Sequence, residues 1–490
     1  MDLDPATATA GQLARAIAGR EISSRELLGA LLDRAGKINP QVNAIVAWDT
    51  ERARAAAAAA DEATARGEIS GPLHGLPMTV KDLFETEGLV TTAGATELAG
   101  HVPQADAIPV ARLKAAGAIV FGKSNTPRYG SDLQTSNQVY GRTGNPWDPA
   151  LTAGGSSGGA AAAVAAGLTP LELGSDIGGS IRNPSHYNGV YGLKPSWGIV
   201  PSRGHIPGPP GSLSEADVGV TGPIARSVAD LRTVLGLTAG PRPQDAAGWR
   251  LELDPGPDRD SVAGLRVATV FGAGEGVLPL AADVRALLDG FAARLADAGA
   301  QVEAVPMPVP LGEGFALWRD LVMPIIGLGL PDGMYAEFAK LDDVPATNLG
   351  LANTKAMASR YRTWAEAVER REQQREVWSR FFTGYDVLLA PVMPTTAYPH
   401  DLGRPMPERE LAIDGVTVPN FTTMAWCGAI GAVLLPVVTV PVGLTPAGLP
   451  AGVQITGPFL SDLRLLRLAE LIDEAAGPGF TPPPPLPGTG

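Results

Sequence analysis

A chain of 490 residues, 45% hydrophobic and 18% charged, has the composition of a globular protein with a large core. A formal net charge of −13 without any long basic run argues against nucleic acid and an anionic membrane surface as partners. One cysteine, Cys427, excludes an intrachain disulfide and a multi-cysteine zinc site, and the opening Met1-Asp2-Leu3-Asp4-Pro5 lacks the basic and apolar regions of a signal peptide, so a cytoplasmic location is expected.

Residues 7–36 read as helix, with Thr9 as cap and apolar residues recurring through Leu13, Ile17, Leu27, Leu28, Leu31 and Leu32. Residues 42–48 are a short strand, and 51–66 an alanine-rich, partly solvated surface helix. The run Leu76-Pro77-Met78-Thr79-Val80 is strand-like and delivers Lys81-Asp82. A lysine there is usually a surface residue with a snorkelling stem. The other reading is a desolvated amine whose proton affinity has dropped far enough for it to serve as a base. The local pattern leaves both open.

Residues 117–124 match the phosphate-loop pattern G-x-x-x-x-G-K-[ST]. That motif needs a loop between a strand and a helix, whereas here residues 118–121 are themselves a strand and 111–116 a helix, which excludes the nucleotide reading. Asn145-Pro146-Trp147-Asp148-Pro149 reads as a turn-rich loop. The turn after it satisfies G-x-S-x-G in two registers, but a nucleophile elbow needs a strand before it and a histidine partner. His186, His205 and His400 stand in no such context. The uncharged stretches 149–171 and 415–461 are broken by Gly and Pro, so they read as buried strands and a core helix rather than membrane spans.

Further on, residues 202–212 form an irregular loop, and Thr221-Gly222-Pro223 is expected to open a helix through Arg226, Val228 and Leu231. Residues 239–262 are polar and Pro/Gly-rich, as a linker would be. Beyond them a strand (265–271), a helix (281–298) with Val284, Leu287, Leu288, Phe291 and Leu295 on one face, and a second strand (301–305) alternate. A long helix is expected over 355–383, stopped by Gly384, then a strand over 385–390. This alternation predicts an α/β fold. The tail, 477–490, is expected to be disordered or extended.

The most informative stretch is 152–182. Two turns, Gly154-Gly155-Ser156-Ser157-Gly158-Gly159 and Asp176-Ile177-Gly178-Gly179-Ser180-Ile181-Arg182, bracket an alanine-rich segment. Successive N–H groups in such a turn can converge on an anion. A serine among them stands where an attacked carbonyl develops negative charge, which is what acyl transfer requires.

With these turns, Lys81-Asp82, Gly122-Lys123-Ser124-Asn125, Asn145-Pro146-Trp147, Gly192-Leu193-Lys194-Pro195, Gly222-Pro223-Ile224-Ala225-Arg226 and Gly448-Leu449-Pro450-Ala451-Gly452-Val453-Gln454, the chain resembles the amidase signature family of serine hydrolases over nearly its whole length. The resemblance implies a single large α/β domain with a mixed β-sheet sandwiched between helices, over residues 1–475. Its signature core covers about 70–240, the Pro/Gly-rich tail is 476–490, and 239–262 becomes an internal loop. It implies a Ser-cisSer-Lys triad: Ser180 as nucleophile, Ser156 as bridging serine and Lys81 as base. The N–H groups of Ile177, Gly178, Gly179 and Ser180 would hold the oxyanion, with Ser157, Asp176 and Arg182 in support. No cofactor and no metal are implied.

The implied activity is hydrolysis of carboxylic amide C–N bonds through an acyl-enzyme, with aryl amides, carbamates (urethanes) and side esterase activity within reach, in a monomer or homodimer acting on a small molecule. The alternatives are an A-type subunit of a glutamyl-tRNA amidotransferase and a catalytically silent binding protein on the same fold. Ser175 stands where many members carry threonine. The segments 129–134 and 184–188, where substrate contacts are expected, do not name the substrate.

Overall fold

The long apolar runs of the sequence end up as neighbours in one sheet. The computed structural model describes residues 3–206, 210–272, 278–341, 344 and 349–488. In chain order the strands of its central sheet are β1 (Ile45–Trp48), β2 (Pro77–Lys81), β3 (Ile119–Ser124), β4 (Leu171–Asp176), β5 (Tyr191–Lys194), β6 (Val220–Ala225), β7 (Arg266–Thr269), β8 (Gln301–Ala304), β9 (Val387–Pro391), β10 (Val437–Leu444) and β11 (Pro450–Thr456). They lie side by side in the order β1-β3-β2-β4-β6-β5-β10-β11-β9-β7-β8. Pairing is parallel for β2 with β3 and β4, and for β7 with β8 and β9, and antiparallel elsewhere, so the sheet is mixed.

Helices cover both faces, which is why β2, β4, β9 and β11 are buried along their whole length, polar residues such as Thr79, Lys81, Glu172 and Gln454 included. The helices Gly158–Ala165 and Arg182–Asn188 pack on the central strands, and Val228–Thr238, Ala282–Asp297 and Asp462–Ala476 complete the layers. This is the α/β single-domain architecture expected from the sequence.

Four local expectations are corrected. The helix expected over 7–36 is two, Ala10–Ala18 and Ser24–Val42. Arg20 takes a left-handed backbone between them, and Ser23 with Glu26 closes a capping box that starts the second. Thr9 caps the first as expected, through Gln12. The helix expected over 355–383 is also two, Leu349–Met357 and Tyr361–Gly384.

Thr221-Gly222-Pro223 opens no helix. These residues lie in β6, antiparallel to β4, and the next helix starts at Val228 with the Ser227 hydroxyl accepting from the Asp230 N–H. Strand β5 pairs with β6 only at Ile224 and Ala225, so Pro223, which has no N–H to offer, lies outside that ladder. The turn-rich loop at 145–149 is instead part of a small hairpin, Gly144–Asn145 with Asp148–Thr152, separate from the central sheet.

The stretch 239–262 leads from the helix Val228–Thr238 to β7 of the same sheet, with Val262 buried and Leu251 and Leu253 packed on the core. The described part of the tail, to residue 488, runs without helix or strand; Leu486 is buried, and residues 483–486 share a groove with Arg34, Ile38, Pro146 and Ala166.

Candidate active site

Strand β2 ends by placing Lys81 in the interior, with no exposed surface. Its Nζ donates to the hydroxyls of Ser156 at 2.7 Å, Ser157 at 2.9 Å and Ser175 at 3.1 Å. The snorkelling reading of Lys81 therefore does not hold. Burial pulls the ammonium down to about 7, against the opposing charges of Asp176 and Glu172. Burial thus favours the neutral amine far more than in an ordinary lysine.

Ser156 and Ser157 come from the first turn. The Gly155–Ser156 peptide is cis. A Cβ on Gly155 would stand 2.5 Å from the Asp132 carbonyl oxygen, so only glycine lets the turn press against residues 132–134. Asn183 grips the same residue twice: its Nδ2 donates to the Gly155 carbonyl at 2.7 Å and its Oδ1 accepts the Gly155 N–H at 3.2 Å. The Ser157 N–H donates to the Ser180 carbonyl at 3.1 Å, tying the first turn to the second.

The second turn leaves the end of β4 and runs into the helix Arg182–Asn188. Asp176 is its anchor. The buried carboxylate accepts from the N–H of Gly179 (2.8 Å) and Ile181 (3.0 Å), and from Arg182 Nε (3.0 Å) and Nη2 (2.8 Å). Burial alone would raise this carboxyl, but the charge and hydrogen bonds of Arg182 outweigh it and hold Asp176 well below the usual carboxylate range. Arg182 is held in turn by the Cys427 carbonyl at 2.9 Å and Gln454 Oε1 at 2.8 Å.

Of the four N–H groups expected to face an oxyanion, that of Gly179 is occupied by Asp176. Among the described residues no group accepts from the N–H of Ile177, Gly178 or Ser180. Gly179 adopts φ +123°, open to glycine, and a Cβ there would lie 3.0 Å from the Cβ of Cys427. Behind Gly178 stand Met424 and Trp318, 2.5 and 2.7 Å from where a Cβ would be. Trp318 Nε1 also donates to the Ile177 carbonyl at 2.7 Å.

The histidines lie elsewhere. His186 is buried and bonded to Gly452 and Thr395, and burial pulls it down to about 4. His205 stacks edge-on against Phe84, and burial takes it to about 3. His400 is likewise lowered by burial, to about 4. No hydrogen bond joins any of these rings to the serine turns among the described residues.

Sequence reasoning missed three contributors. Ser175 was noted only as a departure from threonine, yet it is the third hydroxyl on Lys81; its position on β4, one residue before Asp176, was the available signal. Trp318 lies 141 residues from Ile177, and no local motif announces it. Glu172 is a buried carboxyl on β4 that accepts from the Thr79 hydroxyl at 2.5 Å and the Leu173 N–H at 3.2 Å. Burial raises it to about 7.

The family model described as Amidase matches residues 26–323 and 331–466. The A-type subunit of glutamyl-tRNA(Gln) amidotransferase from Synechococcus sp. (strain CC9605) is 34% identical, over 93% of this chain and 94% of that protein. Among solved structures, a bacterial aryl acylamidase of the amidase signature enzymes is 26% identical with a TM-score of 0.80, over 96% of each chain. A 6-aminohexanoate cyclic dimer hydrolase is 26% identical with the same TM-score, over 98% of this chain and 99% of that one. Family model, near-full-length relatives and fold coincide, and the chain belongs to the Amidase family, the amidase signature enzymes.

Proposed function

We propose that the protein hydrolyses carboxylic amide C–N bonds through an acyl-enzyme on Ser180. The observation that carries this is the buried Lys81 amine, held 2.7 Å from the Ser156 hydroxyl. Neutral Lys81 takes the Ser156 proton while Ser156 takes that of Ser180, and the Ser180 oxygen bonds to the carbonyl carbon. The N–H groups of Ile177, Gly178 and Ser180 receive the negative charge on the carbonyl oxygen. The proton then returns through Ser156 to the nitrogen, the C–N bond breaks, and the amine leaves. Water attacks the acyl ester along the same relay and frees the acid and Ser180. Ser157 and Ser175 hold the Lys81 amine in place, and the Asp176–Arg182 pair holds the oxyanion turn.

For the substrate, the reading favoured by the site's surroundings is a stand-alone hydrolase of amides bearing an apolar or aryl group, with carbamates and esters as secondary substrates. Trp318, Met424, Phe315 and Phe421 pack beside the oxyanion turn and form a hydrophobic wall there. It would act in the cytoplasm as a monomer or homodimer without a cofactor, with residues 1–475 as the catalytic unit. A second reading, an amidotransferase A-type subunit that releases ammonia from glutamine, is favoured by curated relatives of that name at 34–35% identity over nearly the whole chain.

A panel on the purified protein separates the readings: an acyl anilide, an aliphatic amide, an aryl carbamate, an ester and glutamine. Turnover of the anilide or carbamate by the isolated chain supports the first. Turnover of glutamine alone, or only once partner subunits are added, replaces it with the second. Failure of a fluorophosphonate to label Ser180 overturns both and leaves a binding protein.

A further inference from the structure

We propose that Glu172 is a positioning residue for amide hydrolysis, acting on Lys81 through the interior of the sheet and not on the substrate. The inference rests on the reading of Lys81 as the base. Strands β2 and β4 are parallel neighbours with Thr79 opposite Glu172 and Val80 opposite Leu173. The Thr79 hydroxyl donates to Glu172 Oε1, so the two side chains share a face. Alternation along β2 puts Lys81 on that face as well, about 7 Å further along the strand. Thr79, Lys81 and Glu172 have no exposed surface.

The hydrogen bonds of the Glu172 carboxyl come from the Thr79 hydroxyl and the Leu173 amide, with no cation among its donors in the described residues. Its charge is therefore available to the neighbouring amine. An ionised Glu172 keeps a proton on Lys81, and a protonated Glu172 releases Lys81 to act as base. Burial brings the carboxyl up and the amine down, and Glu172 is among the charges that raise Lys81 against that burial.

The other charged groups near them are few. Asp176 at the end of β4 acts on Lys81 but is held ionised by Arg182. Lys123 on β3 acts on Glu172, and its Nζ is taken by Thr86, Thr91 and the Phe84 carbonyl beside Asp82. His205 faces Lys81 and is kept neutral by burial. Strand β6 and the helix Gly158–Ala165 carry no titratable side chain.

The test is the pH dependence of Ser180 labelling by a fluorophosphonate, with amide kcat/KM alongside, in the parent, Glu172→Gln and Thr79→Val. Glutamine keeps the shape and can accept from Thr79 but never carries charge. The midpoint of the acid limb should fall by about one pH unit in Glu172→Gln. Thr79→Val removes a donor to the carboxylate and should shift it the same way by less. A change of packing alone would scale the rate without moving the midpoint. A folded Glu172→Gln whose midpoint stays within about 0.2 of the parent, or rises, overturns the inference. If Glu172→Gln does not fold, an unmoved midpoint in Thr79→Val does so. A parent unlabelled at Ser180 at every pH overturns the triad reading itself; a labelled parent with an unmoved variant overturns only the role of Glu172.

Discussion

The indole Nε1 of Trp318 donates to the backbone carbonyl of Ile177 at 2.7 Å, and this single bond aims the next peptide N–H. The peptide between Ile177 and Gly178 is planar and trans, so its carbonyl and its N–H point in opposite directions. Holding the Ile177 carbonyl against Trp318 therefore turns the Gly178 N–H away from it, the direction that its proposed role toward an oxyanion requires.

Trp318→Phe keeps most of the packing against Gly178 and removes that bond. Loss of an oxyanion donor outright costs about 10²–10³ in kcat. A donor that is only less well aimed should cost about tenfold, in kcat more than in KM. Steady-state kinetics on an amide checks this, and an unchanged kcat would mean that the turn is aimed by Asp176 alone.

Arg182→Met should destabilise the protein by about 3–5 kcal/mol, because Asp176 would remain buried without its cation. Urea unfolding measures it. The parent's acid sensitivity follows from the same pair. Asp176 has a folded value below its unfolded one, so its stabilisation is complete above about pH 4 and is lost as the pH falls below that. Arg182→Met should lose this contribution, and a variant as stable as the parent at pH 7 would refute the pairing.

Cys427→Ala should retain most turnover. The thiol is buried, and burial pushes it up to about 12, so no thiolate is present to act as a nucleophile. Its part is to pack behind Gly179 and to offer its carbonyl to Arg182, and alanine keeps the carbonyl. Loss of activity in a folded Cys427→Ala would reopen a thiol mechanism.

What the sequence disclosed followed the range of each signal. Strand β2 ending in Lys81 and the two serine turns were legible because each is a local pattern. The break near Arg20 was also legible, since Ser23 and Glu26 spell a capping box, but the apolar periodicity running through 13–32 outweighed it. Pro223 was misplaced because proline fits both the first turn of a helix and a strand position that a neighbouring ladder, here that of β5, does not reach. The contact of Lys81 with Ser156 spans 75 residues and that of Arg182 with Gln454 spans 272. Such meetings are set by strand order, which no local pattern encodes; the family resemblance supplied the first of them.

The most direct test of the account is the pH profile of amide hydrolysis in the parent and in Lys81→Arg. A base must be deprotonated to accept, and Lys81 is drawn down to about 7, so parent kcat/KM should rise with pH through the neutral range and level off above it. Arginine stays protonated throughout, so folded Lys81→Arg should lose nearly all amide turnover and show no such limb. A folded Lys81→Arg that hydrolyses amides at near the parent rate would contradict the mechanism.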